Sequence, residues 1–184
     1  MGIPFFRRLF RHAPPTALDT IETKASHGDA EAQFHRGVEC ASGAGEAQDY
    51  AEAAEWYQKA AAQDHAPAQF NLGVLYAQGR GVSKDEAQAV RWIQKAAQHG
   101  DAEAQFNLGM RLYRAVIQAR LQAIPESRIA AYQWLQLAAA QGQPEAETFC
   151  HRVLLAMTRD EVAEGNRRLA ALVGAPPPPV PSPT

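Results

Sequence analysis

Cysteine is scarce in this chain: Cys40 and Cys150 are 2 residues in 184, too few for the disulfide framework that holds small secreted domains together. Net charge is small as well. Eighteen Lys and Arg stand against 20 Asp and Glu, a formal −2, so the basic excess that a phosphate backbone demands is missing and nucleic acid is not an expected partner. No apolar run approaches the roughly 18 residues that cross a bilayer, and the scarcity of Val and Ile disfavours strands. His12, His27, His35, His65, His99 and His151 include no pair four apart and no H-E-x-x-H order, so no metal and no cofactor are expected. The Walker spacing and the nucleophile elbow are missing too. "GRGVSK" at Gly79–Lys84 therefore reads as a turn between helices, and no enzymatic activity is expected.

What the chain has in abundance is alanine, 37 residues, a strong helix former that permits close packing. It also has an internal repeat. A slip of 36 residues places Phe34 over Phe70, Gly37 over Gly73, Gly43 over Gly79, Gly45 over Gly81, Trp56 over Trp92 and Lys59 over Lys95. The same slip carries "APAQFNLG" at Ala66–Gly73 onto "AEAQFNLG" at Ala102–Gly109, whereas Trp92 meets Trp134 at a spacing of 42, so the third copy holds a 6-residue insertion. The copies are 29–64, 65–100 and 101–142. A fixed period of this size means units that bury their apolar faces only by stacking on one another.

Each copy reads as two helices. In the second, Ala66, Leu72, Gly73 and Tyr76 share one stripe, and Ala89, Trp92, Ile93, Ala96 and Ala97 share another. Between them Gly79 and Gly81 supply positive φ at a helix stop, and Ser83 with Glu86 matches a capping box that restarts the helix. Gly73, inside the first helix, costs about 1 kcal/mol relative to Ala, so its expected use, with Gly37 and Gly109, is to let the second helix come close. Trp56, Trp92 and Trp134 recur beside Ala pairs and are expected to be wedged between helices.

"DAEAQFNLG" and "LYAQGRGVSKDEAQAVRWIQKAAQHG", in alternation, resemble Sel1-like repeats, relatives of the tetratricopeptide repeat with a slightly longer unit. The resemblance implies an all-α, right-handed α-solenoid of antiparallel helix pairs, used as a non-catalytic scaffold or adaptor that binds a protein or peptide on its concave surface, here in the cytoplasm. Some relatives carry paired cysteines in each repeat, are secreted and are associated with hydrolysis; this chain lacks that pattern. It departs from the repeat at Cys40, which stands where the second copy has Tyr76, and at "RAVIQARLQAIPES", Arg114–Ser127, which replaces the Gly-x-Gly loop.

Both ends of the array read as capped. Thr16–His27 aligns with a second-type helix, giving a capping helix over 16–28, and 143–174 reads as a degenerate helix pair opened by Thr158 and Glu161 as a capping box. Residues 175–184 hold 6 Pro and leave the helical fold as a Pro-rich disordered tail. Residues 1–15 form a basic, apolar, flexible leader. Within it Ile3, Phe6, Leu9 and Phe10 could share one helix side with Arg7, Arg8 and Arg11 on another, so residues 3–11 offer weak contact with an anionic membrane surface and, as the alternative function, a peripheral anchor.

The candidate binding residues are Phe34, Phe70 and Phe106 with Val38, Val74 and Met110 one turn later, in the positions that line the groove in tetratricopeptide stacks; core packing is the competing reading. Arg111, Arg114 and Arg120 are either a solvated helix face or a basic patch for an acidic partner segment. The lost glycines of the third copy predict that its first helix overruns by about two turns to near Ile124, where Pro125 starts the next, and projects Val116, Ile117 and Leu121.

Overall fold

The computed structural model describes residues 20–43, 47–119 and 125–174. The leader of residues 1–15, its segment 3–11, the tail 175–184, Arg120 and Leu121 lie outside them. The described residues hold nine α-helices and no strand: α1 (Ile21–Ser26), α2 (Ala30–Ser42), α3 (Tyr50–Ala61), α4 (Ala66–Gln78), α5 (Glu86–Gln98), α6 (Ala102–Ala119), α7 (Pro125–Ala140), α8 (Ala146–Leu154) and α9 (Arg159–Val173). From α1 to α8 each helix packs on the next in sequence, and α9 returns to pack on α7. The chain is an α-solenoid of antiparallel helix pairs: α2–α3, α4–α5 and α6–α7 are the repeats, α1 precedes them, and α8 and α9 follow.

Local chemistry sets the helix limits. Asp29, Asp49, Asp85 and Asp101 each place a carboxylate on a backbone N–H of the first turn that follows, which satisfies one of the unpaired donors there. Asp85 is a correction to the expected Ser83–Glu86 box. Its carboxylate accepts from the Gln88 amide at 3.0 Å, a stronger acceptor than a serine hydroxyl, so α5 begins two residues later than the box implied. The box at the start of α9 does form, between Thr158 and Glu161. Gly79 stops α4 at φ 68°, its N–H bonded to the Leu75 carbonyl. Gly81, at φ 69°, lies so close to the start of α3 that a Cβ there would stand 2.1 Å from the Tyr50 carbonyl oxygen.

The helices meet across glycine. A Cβ at Gly37 would lie 2.6 Å from the Tyr57 ring, one at Gly73 2.7 Å from Ile93 Cγ1 and one at Gly109 2.7 Å from Leu135 Cγ. Tyr57, Ile93 and Leu135 are all buried. The expected tryptophan wedge is therefore corrected by one residue. Trp56, Trp92 and Trp134 are only half-buried at the edges of the core clusters, because a step of one residue turns a helix by about 100°. Lys59 Nζ lies 3.9 Å from the Trp56 ring centroid and Lys95 Nζ 4.6 Å from that of Trp92, a cation–π cover on each ring.

Three buried glutamines tie the repeats together, a feature the sequence reading missed. Gln33, Gln69 and Gln105 are 5%, 0% and 4% exposed. Their Nε2 groups donate to the carbonyls of Ala25, Ala61 and Ala97 at the end of the preceding helix. Their Oε1 atoms accept from Gln63 Nε2 at 2.8 Å, His99 Nδ1 at 3.0 Å and Gln141 Nε2 at 2.9 Å. Each amide thus joins three consecutive helices with both ends satisfied, the condition for burying it without penalty. The signal was present as the invariant Gln of "AEAQF", "APAQF" and "AEAQF".

α1 spans Ile21–Ser26, inside the expected 16–28, with Thr20 as its N-cap; residues 16–19 lie outside the described ones. α6 runs 18 residues against 13 in α2 and α4. It passes the position of Gly79 and is helical to Ala119, so the overrun is present, and its expected end near Ile124 lies outside the described residues. Pro125 begins α7, where its fixed φ suits a first helical turn.

Candidate functional site

The first-type helices α2, α4, α6 and α8 present one face on which the predicted phenylalanines stand. Phe34, Phe70 and Phe106 are each half-buried. On their inner side they join the core: Phe34 packs on the Tyr57–Leu72 cluster, Phe70 on the Ile93 cluster and Phe106 on the Leu135 cluster. On their outer side they wall two hollows. Phe34 and Phe70, with Pro67, Asn71, Asp101, Ala102 and Glu103, enclose about 340 Å³. Phe106 and Met110, with Asn107, Arg111, Arg114, Glu145 and Phe149, enclose about 520 Å³. Each ring therefore has one face on the core and the other on a hollow. Val38 is 37% exposed and Val74 half-buried, and neither lines the two hollows. Phe149 extends the row, and the sequence reading passed over it because α8 does not keep the repeat spacing.

The charges on this face differ along the stack. Around the first hollow they are acidic. Asp101 caps α6 through the Ala104 amide at 2.7 Å, and Glu103 stands beside it. At the near end Glu31 bridges two imidazoles: His35 Nε2 lies 3.0 Å from Oε1, and His65 Nε2 donates to Oε2 at 3.0 Å. The bond from His65 chiefly holds the Glu31 carboxyl below its ordinary value. His65 Nδ1 accepts from the Ala68 amide and caps α4, which leaves Nε2 to carry the proton, and the Phe34 ring lies 4.9 Å from the imidazole. Behind it the Tyr57 hydroxyl is pushed above its ordinary value by burial and is hydrogen-bonded to Asn71.

Around the second hollow the cations are Arg111 and Arg114. Arg111 Nε donates to Asn107 Oδ1 at 3.0 Å, and Nη1 pairs with Glu86. Arg114 is exposed.

Among the described residues, no group of three or more His, Cys, Asp or Glu side chains could hold a metal ion. Cys40 and Cys150 are buried thiols in different units. Burial pushes the Cys150 thiol up to about 12, so at neutral pH it is not the thiolate that nucleophilic attack requires. No helix among the described residues is long and apolar enough to cross a membrane.

The Sel1 repeat family model matches residues 30–65, 66–101 and 102–143, within one residue of the boundaries read from the 36-residue slip. Among solved structures the chain is similar to a Sel1 repeat protein from Oxalobacter formigenes, at 35% identity over 72% of this chain and 95% of that one, with a TM-score of 0.59. It is also similar to a protective antigen of uropathogenic Escherichia coli strains that displays an SLR fold. That match has 21% identity over 86% of this chain and 45% of that one, with a TM-score of 0.50, and supports the fold alone. No match is found among curated proteins.

Proposed function

The chain belongs to the Sel1 repeat family, and we propose that it is a non-catalytic cytoplasmic adaptor binding a polypeptide along the concave face formed by α2, α4, α6 and α8. Sel1 repeat proteins are generally protein-interaction scaffolds. The observation that carries the reading is the row Phe34, Phe70 and Phe106, whose outer faces wall two hollows on one side of the stack. Half-buried aromatics held by a rigid core are the kind of anchor that dominates an interface, because they lose little conformational freedom on binding.

The test reads Phe70→Ala and Met110→Ala by thermal melting and by affinity capture with partner identification. A groove role predicts that capture of the partner is lost at nearly normal melting. Early melting with capture reduced only in proportion assigns both residues to the core and ends the reading.

A second reading rests on the leader, where Arg7, Arg8 and Arg11 stand among Ile3, Phe6, Leu9 and Phe10 with no acid. It makes the protein a membrane-surface accessory. Co-flotation with anionic vesicles that is abolished by Arg7→Glu and Arg8→Glu supports it, and the absence of flotation by the intact chain removes it.

A further inference from the structure

The third first-type helix differs from its siblings on the groove face. α4 carries Leu75 and Gln78 and stops at Gly79; one repeat on, α6 carries Arg111 and Arg114 and continues to Ala119. Those two arginines flank the hollow of about 520 Å³ between α6 and α8. Its apolar wall is Phe106, Met110 and Phe149, with the Phe149 ring 6.1 Å from Phe106 and edge-on to Tyr113 at 5.6 Å.

The two guanidinium groups are not equivalent. Arg111 is committed to Asn107 and Glu86. Arg114 has no hydrogen-bond or ion-pair partner among the described residues, although Glu145 shares the lining. It is the cation left to meet an incoming anion. A carboxylate that enters here has an aromatic wall on one side and an exposed guanidinium on the other, whose planar fork can take both carboxylate oxygens. The neighbouring hollow has the same aromatic wall, from Phe34 and Phe70, but carries Asp101 and Glu103 and no cation. The two hollows therefore discriminate by charge along one groove, a device that sets specificity and register more than affinity.

Resting on the groove reading above, we propose that the α6–α8 hollow takes an acidic–apolar segment of a polypeptide partner, a bulky aliphatic or aromatic side chain against Phe106, Met110 and Phe149 with an adjacent Asp or Glu carboxylate on Arg114. The experiment is selection of a phage-displayed random peptide library on the immobilised full chain. The enriched peptides are then synthesised and titrated against wild type, Arg114→Glu, Arg114→Lys and Phe70→Ala. The expected result is enrichment of Asp or Glu next to Leu, Ile, Phe or Trp. Affinity for those peptides should fall about tenfold in Arg114→Glu and with added salt, remain largely intact in Arg114→Lys, and leave melting unchanged throughout the Arg114 variants. Enrichment of basic or uncharged peptides overturns the proposal, as do acidic peptides whose binding survives Arg114→Glu. If such peptides still lose binding in Phe70→Ala, the groove reading stands and this one falls. No enrichment, or binding indifferent to both positions, removes both.

Discussion

Ile93 stands directly over Gly73: a Cβ on Gly73 would lie 2.7 Å from Ile93 Cγ1 and 3.1 Å from the Ala89 carbonyl oxygen. The absent side chain is what lets α5 seat against α4, and the same contact recurs as Gly37 with Tyr57 and Gly109 with Leu135.

Gly73→Ala is expected to lower the denaturation midpoint, since overpacking costs about 1–3 kcal/mol and the gain in helix propensity returns only about 1 kcal/mol. In an Ile93→Ala background the same substitution meets less obstruction. Urea titration of both singles and the double should give a coupling of about 1–2 kcal/mol; strict additivity would contradict the contact.

Ile93→Ala removes a side chain that is 1% exposed and is expected to cost about 2–5 kcal/mol. Trp92→Ala should cost less, because its ring is only partly buried and is covered by Lys95. The order of the two midpoints, measured beside a near-silent Arg91→Ala control, checks which residue is the wedge.

Gln69→Leu keeps the volume of the buried amide but removes its three hydrogen bonds, leaving the Ala61 carbonyl, the Asp64 carboxylate and His99 Nδ1 without it. We expect a loss of about 1–3 kcal/mol. Hydrogen exchange should rise at the junction of α3, α4 and α5 while the α7–α9 contacts stay protected; uniform loss of protection would show that the glutamine acts on the whole stack.

α9 is clamped to α7 by Arg128 and Glu161, with Nε to Oε2 at 3.2 Å and Nη2 to Oε1 at 2.5 Å. The bond from Arg128 and then the Thr158 amide hold the Glu161 carboxyl below its ordinary value, against the opposing effect of burial. A lowered folded value means stability that is present above the unfolded carboxylate range, about pH 4–4.5, and lost as pH falls through the folded value. Melting followed from pH 6 downwards should drop in that window, and Glu161→Gln should flatten the drop while starting from a lower midpoint. An identical pH profile in the variant would dissociate the clamp from acid sensitivity.

The five residues by which α6 passes its siblings place Arg114 inside a helix, so trypsin should cut after it slowly in the native chain. Ala115→Gly, which costs about 1 kcal/mol of local helix, should speed that cut without moving the global midpoint. Rapid cleavage of the wild type would make the segment a loop.

The amino-acid sequence by itself determined the period, the helix pairs and the closing box of Thr158 and Glu161, because these depend on residue types a few positions apart. It also marked Gly73 as an approach point, since a glycine inside a helix is unfavourable unless something needs the room. Only the tertiary structure decided that Ile93 rather than Trp92 fills that room, for hydrophobicity favours the indole while the rotation of α5 is set by both of its neighbours. The same holds for Gln69, whose burial is favourable only once the ends of three helices converge on its amide. Arg111 and Arg114 look alike along the chain. Their difference arises where Glu86, from another repeat, reaches one and not the other, a relation through space that no local spacing encodes.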